Sequence, residues 1–563
     1  MKRTVKKAIC VMLTVVLMAT VLSACSGGKD FIDFIYPFSA DVNSYDPQVA
    51  STSDEFLIIE NTFEGLIRMD DEGKVRKGVA DSWNISKDGL TYTFKIKRGM
   101  KWNIDTDKYT EGDDKGKFKD ERLEMLGKRF NPDITAHDFV FALQRAASPE
   151  TQCPLFSSIS AIKNANKVYS GKLDKSKLGV TAVDNYTLKI ELEYPDSAFM
   201  ETLTSAVAMP CNEEFFNATK GRYGLMTKYT LFNGQFYLSQ ILESSYLLKN
   251  NELYRGDFPA KASELTLKIT DPEDDDTVKN LLSGYYDVAF VKGSESERIL
   301  KNKDLTTKPY NDTTWAMRFN TNSLVFSSKK MRKAFCLGFE KFNDSEYEYL
   351  SDAKAFIPSS CKIGANNALQ AIGSTVYQQN IDESVKLWKE ELKNYDLTDI
   401  EVTIITTKEL ENALKETLQG VQSGIGSVVR NADDEKLSFV LKIKTMTESE
   451  MESAILKGDY DIAFYPYRAT SDSAIAFLRS AVSKGGGFDK DKVEKALTQA
   501  EKASDIKTKS ENIRKAEAEI IDSYSLYPMI YETGYYTEAK SVSGVEFHMG
   551  SGRISFVNAT RDD

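Results

Sequence analysis

The segment Gly284-Tyr285-Tyr286-Asp287-Val288-Ala289-Phe290 recurs as Gly458-Asp459-Tyr460-Asp461-Ile462-Ala463-Phe464, and this echo constrains the fold more than any other feature. Each copy follows a helical pattern that itself follows a strand-like run. Leu265, Leu267 and Ile269 precede the first. The second is preceded by Glu401 to Thr406, a helical stretch with Leu410, Leu414, Leu418 and Val421, strand-like Ser438 to Ile443, and a short helix around Met451 and Ile455. Glycine suits the left-handed residue that closes a helix, and a short apolar run then enters a buried strand. The alternation predicts an α/β protein with a largely parallel core. Two halves of the same local construction follow; two unrelated strands that share common residues are the plain alternative. Ligands of open α/β sheets sit in the crevice at the carboxyl ends of strands, so the residues after Phe290 and Phe464 are candidates for a cleft.

A chain of 563 residues exceeds what one hydrophobic core supports, which agrees with two or more units. Its first residues form a secretory signal: Lys2, Arg3, Lys6 and Lys7, the apolar run Ala8 to Val21, then Leu22-Ser23-Ala24-Cys25. The run is short for a bilayer span. The four residues ending in Cys25 resemble a bacterial lipobox, which implies diacylglycerol and N-acyl (palmitoyl) lipid on Cys25 and a flexible tether beginning at Ser26.

The formal charge of -11 becomes more negative once the basic signal leaves, so nucleic acid and anionic membrane surfaces are poor partners. Only two histidines, His137 and His548, are present. The cysteines form no C-x-x-C pair, so zinc sites and histidine triads lack supply and no metal or other cofactor is expected. Cys336 and Cys361 are the nearest pair for a disulfide, with buried free thiols the alternative.

Leu90, Tyr92, Phe94 and Ile96 alternate with polar residues, as do Tyr186, Leu188, Ile190 and Leu192, predicting half-buried strands. Thr135-Ala136-His137-Asp138 reads as a capping box opening a helix. Residues 103–130 are more than half charged and read as a solvated surface insertion, a docking arm being the alternative.

Five blocks then stand in one order: Glu64-Gly65-Leu66, Gly78 to Trp83, Asp88 to Phe94, Lys101-Trp102 and Thr135 to Val140. Downstream come Asn233 to Leu238, the two echoed segments, Phe319-Asn320, Met331 to Phe335 and Phe477-Leu478. The series resembles the extracytoplasmic solute-binding proteins of peptide-type ABC transporters, family 5. That resemblance implies a two-lobed periplasmic-binding-protein fold (type II, the large peptide-binding subclass) with an added α+β subdomain. After the signal (1–24) and tether (25–30), the first lobe would comprise residues 31–60, 196–308 and 519–563. The subdomain would be 61–195 and the second lobe 309–518, with crossings near Pro309 to Arg318 and Glu517 to Tyr524.

Such proteins hold an extended peptide between their lobes by strand-like hydrogen bonds. Many also clamp its α-amine with an aspartate shortly after the Asp-φ-Ala strand. Thr470 falls at that position here, and Asp472 lies two residues on. Tyr467 stands where tryptophan is common, and Arg468 beside it would pair with Asp312 or hold a ligand carboxylate. Ser51 to Ser53 occupy the stretch that can present main-chain groups, and Leu155 and Phe156 the place of an aromatic lid. The candidate ligand-binding residues are therefore Ser51, Ser53, Asn233, Tyr310, Tyr467, Arg468, Thr470, Asp472 and Tyr531. The implied function is non-enzymatic: capture of peptides or peptide-like solutes by a lipid-anchored monomer that serves an ABC permease and ATPase. Another solute, such as an oligosaccharide or a metal chelate, and a peptide-signal receptor are the alternatives.

Overall fold

The computed structural model describes residues 32–561 apart from 71–73, 127–129, 197, 271–275, 340–346, 365, 396–398, 429, 431–434, 470–471, 504 and 549–552. Cys25 lies outside the described residues. Among the described residues no helix is long and apolar enough to cross a membrane.

Two strands organise the molecule. Leu305–Phe319 and Leu526–Ala539 pair antiparallel along almost their whole length, in the middle of a seven-stranded sheet. At one end they carry Val288–Val291, the strand of the first echo. At the other they carry Ile462–Arg468, the strand of the second, followed by Asp399–Thr406 and Ser438–Thr445. The expected parallel order holds for those last three strands. The two long strands depart from it, because they run between the halves and meet their neighbours antiparallel.

Period-two alternation splits the second half's core across this sheet. Trp315, Met317, Phe464 and Ile404 enter one apolar cluster; Ala316, Ala463, Tyr465 and Ile405 enter another on the opposite face. The first half has one continuous core that includes Phe34, Leu265, Trp102 and Phe139, so residues 61–195 share their interior with the strands Asp33–Phe38 and Glu264–Ile269. The sheet of residues 61–195 contains Thr91–Ile96, with Tyr92, Phe94 and Ile96 buried, paired to Thr187–Glu191. Helix Ala136–Ala146 opens at the capping box, where Asp138 accepts from the Thr135 N–H at 2.7 Å and its hydroxyl at 3.0 Å. Most of residues 104–119 are exposed.

The ladder between the two long strands is reset near its middle, and again where Trp315 faces Ile530 but Ala316 faces Pro528. Tyr310 faces Gly534, yet Thr313 faces Glu532, so the 305–319 strand holds one residue too many and bulges at Asn311-Asp312. The bulge is tied down on both sides. The Asn311 amide donates to the Glu532 carbonyl at 3.1 Å and accepts from the Ser359 hydroxyl at 3.0 Å, while the Asp312 carbonyl accepts from the Ala469 N–H at 2.8 Å. The first expected crossing thus falls on the 305–319 strand. The second lies later than the Glu517 to Tyr524 expectation, because helix Ile506–Asp522 packs within the second half and only the strand after it crosses.

Candidate ligand cleft between the halves

A cavity of about 690 Å³ opens between the halves. Phe56, Met69, Leu155, Tyr194, Glu201 and Phe547 line it from the first half; Lys362, Asp472, Ile475, Arg479 and Lys509 line it from the second. Apolar surface is interleaved with hydroxyls, among them Ser157, Ser158, Ser160, Thr202, Ser205 and Ser480. A cavity with an apolar body and a few convergent polar groups is the usual form of a small-ligand site.

Local structure explains why these side chains meet. Asp472 precedes helix Ala474–Ser483, whose first turn is capped by the Ser473 hydroxyl, and a helix N-terminus favours an anion. The Asp472 carbonyl accepts the Lys362 N–H at 2.5 Å, which holds strand Lys362–Ile363 against this turn. Lys362 Nζ then lies 3.0 Å from Asp472 and 3.7 Å from Glu201 of the opposite half. Burial works against its charge, but the two carboxylates outweigh that and raise its pKa above the ordinary lysine value. Lys509, its side chain 8% exposed, reaches Asp196 across the cavity at 3.5 Å. Arg479 forks to Glu501 and Glu494. Burial pushes the Tyr194 hydroxyl up to about 12, with the Glu501 charge adding to it.

Of the residues singled out from sequence, Asp472 lines this cavity. Thr470 lies outside the described residues. Ser53 opens helix Ser53–Thr62 and the exposed Ser51 donates its N–H to the buried Glu55 at 2.6 Å, so Phe56 is the residue that this helix presents to the cavity. Asn233 is fully buried, its amide spent on the backbone N–H and carbonyl of Glu64 at 3.1 and 2.8 Å. Tyr310 sits in an aromatic cluster with Phe290 and Tyr536, and burial raises its pKa. Tyr531 is buried, its hydroxyl donating to the Ala355 carbonyl at 2.9 Å. Tyr467 is buried edge-on against Phe356, with its hydroxyl facing Arg318. These four are taken up by packing and hydrogen bonds inside the fold.

Arg468 has a different partner from the one expected. Its guanidinium forks onto Glu448, both contacts 2.6 Å, while Asp312 takes Lys292 at 3.6 Å. Leu155 lines the cavity, but Phe156 stacks on Tyr169 with ring centroids 3.8 Å apart. Cys153, Cys211, Cys336 and Cys361 are all buried and free, so Cys336 and Cys361 form no disulfide. Among the described residues no group of His, Cys, Asp and Glu is placed to hold a metal ion.

Lys362, Glu201, Asp196, Arg479 and Lys509 were not found from sequence. One signal was present: Lys509 and Glu517 fall at helical spacing on the stripe of Ile513, Ala516 and Ile520, where a charge needs a partner.

Two halves joined by a pair of crossing strands, with a polar-lined cavity between them, define an α/β binding protein of the two-lobed periplasmic type. The family model for bacterial extracellular solute-binding proteins, family 5 (middle region), matches residues 74–489, and the chain belongs to that family. It is 31% identical over 286 residues to the oligopeptide-binding protein AmiA of Streptococcus pneumoniae, a match covering 49% of this chain and 40% of that one. With the dipeptide-binding protein DppE of Bacillus subtilis it is 23% identical, over 90% of this chain and 88% of the other. The substrate-binding domain of an oligopeptide ABC transporter from Bacillus anthracis superposes with a TM-score of 0.69 at 23% identity, covering 95% of this chain and 99% of that one. The chain is a binding protein of the extracytoplasmic space rather than an enzyme.

Proposed function

We propose that this chain is the substrate-binding component of an ABC importer for peptides or peptide-like solutes, held at the outer face of the membrane by lipid on Cys25. The observation that carries the reading is the cavity lined from both halves, with Lys362 to Glu201 and Lys509 to Asp196 reaching across it. A ligand that touches both halves favours the closed form, since only contacts absent from the open form shift that equilibrium. The mixed lining suits a peptide: hydroxyls meet main-chain groups and apolar surface meets side chains. The closed protein then docks on a permease driven by its ATPase, and lipid on Cys25 keeps it close by. Mass spectrometry of material released by denaturing the purified soluble chain tests this reading. Co-purified peptides are expected; no peptide, together with no melting shift against mixed tripeptides to octapeptides, would overturn it.

A further inference from the structure

Cations and acids that line the cleft have partners inside the protein. Arg479 is held by Glu501 and Glu494, Lys509 by Asp196, and Asp70 by Arg76 at 2.6 Å. Lys362 differs from the others in position. Its ammonium stands between one carboxylate from each half, Asp472 at 3.0 Å and Glu201 at 3.7 Å, with the side chain about one-third exposed to the cavity. Its backbone is fixed to Asp472 by the 2.5 Å N–H to carbonyl bond, so the cation is delivered to this place by the fold. An acid pair spanning a closing cleft is where a ligand's ammonium would gain most, because it would bind both halves at once. In this chain a side chain already fills that place.

We propose that Lys362 is a built-in cation that occupies the acid pair Asp472 and Glu201, so that the cleft takes a peptide stretch carrying no positive charge there, such as an acylated N-terminus. A ligand with a free ammonium at this point must displace Lys362 and leave one of two cations in a half-buried site without its acids. The cleft reads its ligand instead through uncharged groups. The Ser158, Ser160 and Ser205 hydroxyls donate to the carbonyls of Leu155, Ser157 and Thr202, which leaves their oxygens as acceptors for peptide N–H groups. This specificity rests on the peptide reading above.

The test compares penta-alanine with N-acetyl-penta-alanine by titration calorimetry on the parent, Lys362→Met and Lys362→Arg chains, thermal melting checking that each variant is folded. The parent and Lys362→Arg chains should bind the acetylated peptide at least as well as the free one. The Lys362→Met chain should move its preference to the free amine by about ten-fold. Glu201→Gln, which removes one of the two acids and leaves the backbone untouched, should weaken that gain when combined with Lys362→Met. A parent chain that prefers the free amine, or a Lys362→Met chain with unchanged preference, would overturn the inference and leave peptide binding standing. If no chain binds either peptide, the inference falls, and the peptide reading is decided by the co-purified peptides and melting shifts described above.

Discussion

Asp287 and Asp461 make the same two hydrogen bonds in different halves of the molecule. The Asp287 N–H donates to the Ile35 carbonyl at 3.1 Å, and its carboxylate accepts the Ile35 N–H at 2.8 Å. Asp461 does the same with Thr403, at 3.1 and 2.9 Å. Each aspartate stands at the entry of its echoed strand and brackets one residue of a neighbouring strand. Each follows a glycine at positive φ, +73° at Gly284 and +78° at Gly458, where the helix before it ends. Sequence repetition thus reports a repeated joint between helix, turn and sheet.

Asp461→Ala leaves the Thr403 N–H without its acceptor and should cost about 1–3 kcal/mol, whereas Asp461→Asn keeps an oxygen in place and should cost less. Urea unfolding of the two variants measures the difference. Equal losses would mean that the bracket contributes little.

Gly534 faces Tyr310 at the last rung before the bulge, and a Cβ there would meet the Phe290 ring at 2.3 Å. That ring is held against Tyr536, centroids 4.6 Å apart. Gly534→Ala should lower stability by about 1–3 kcal/mol through overpacking. Combined with Phe290→Leu the loss should be smaller than the sum of the single changes, as thermal unfolding of the four-chain cycle will read.

Burial pushes the Glu517 carboxyl from an ordinary value of 4.5 up to about 7, against the pull of the Ile357 N–H, the Thr375 hydroxyl and the Phe356 N–H. The folded chain holds this proton more tightly than the unfolded one. The stabilisation is therefore complete below about pH 4.5 and is lost as the pH rises through 7. Relative to the parent, Glu517→Gln should gain stability between pH 4.5 and 8, by up to about 3 kcal/mol. A pH-independent difference would contradict the assignment.

Lys509 and Asp196 form a nearly buried ion pair across the cavity. Lys509→Met removes one partner, leaves the other charge uncompensated, and should favour the open arrangement. Small-angle scattering of the unliganded chain should report a larger radius of gyration. No change would show that the pair does not hold the halves together.

Cys25→Ser removes the thiol that would carry the lipid. The expected result is protein released into the medium or left with its signal uncleaved; unchanged membrane association would exclude lipid at this residue.

Much of the fold is legible in the sequence because short-range chemistry dictates it. The Thr135 capping box, the alternation through Tyr92, Phe94 and Ile96, and the glycines that close the helices before each echo are all local signals. The second crossing was less legible. Leu526 to Tyr536 is buried along nearly all of its length, so it lacks the alternation that would separate a strand from the helix before it. The cleft was least legible. Lys362, Asp472, Glu201, Lys509 and Asp196 meet only through the packing of the halves, and nothing in their spacing distinguishes them from other charges. Arg468 shows the same difficulty, since strand pairing brings Asp312 beside it through the Thr313 to Arg468 rung, yet Glu448 at the start of the helix Glu448–Lys457 takes the guanidinium.

The bulge at Asn311-Asp312 shifts the register by one residue from Thr313 to Trp315, and the extra residue at Met529 restores it from Ala316 on. The chain enters the second half through one strand and returns through the other, which makes residues 313–532 a cassette inserted at a single seam. A chimera that keeps the rungs Tyr310 to Gly534 and Thr313 to Glu532 and takes the intervening residues from a relative should fold. Such grafting would exchange one wall of the cleft while leaving the surface of the other half as it is.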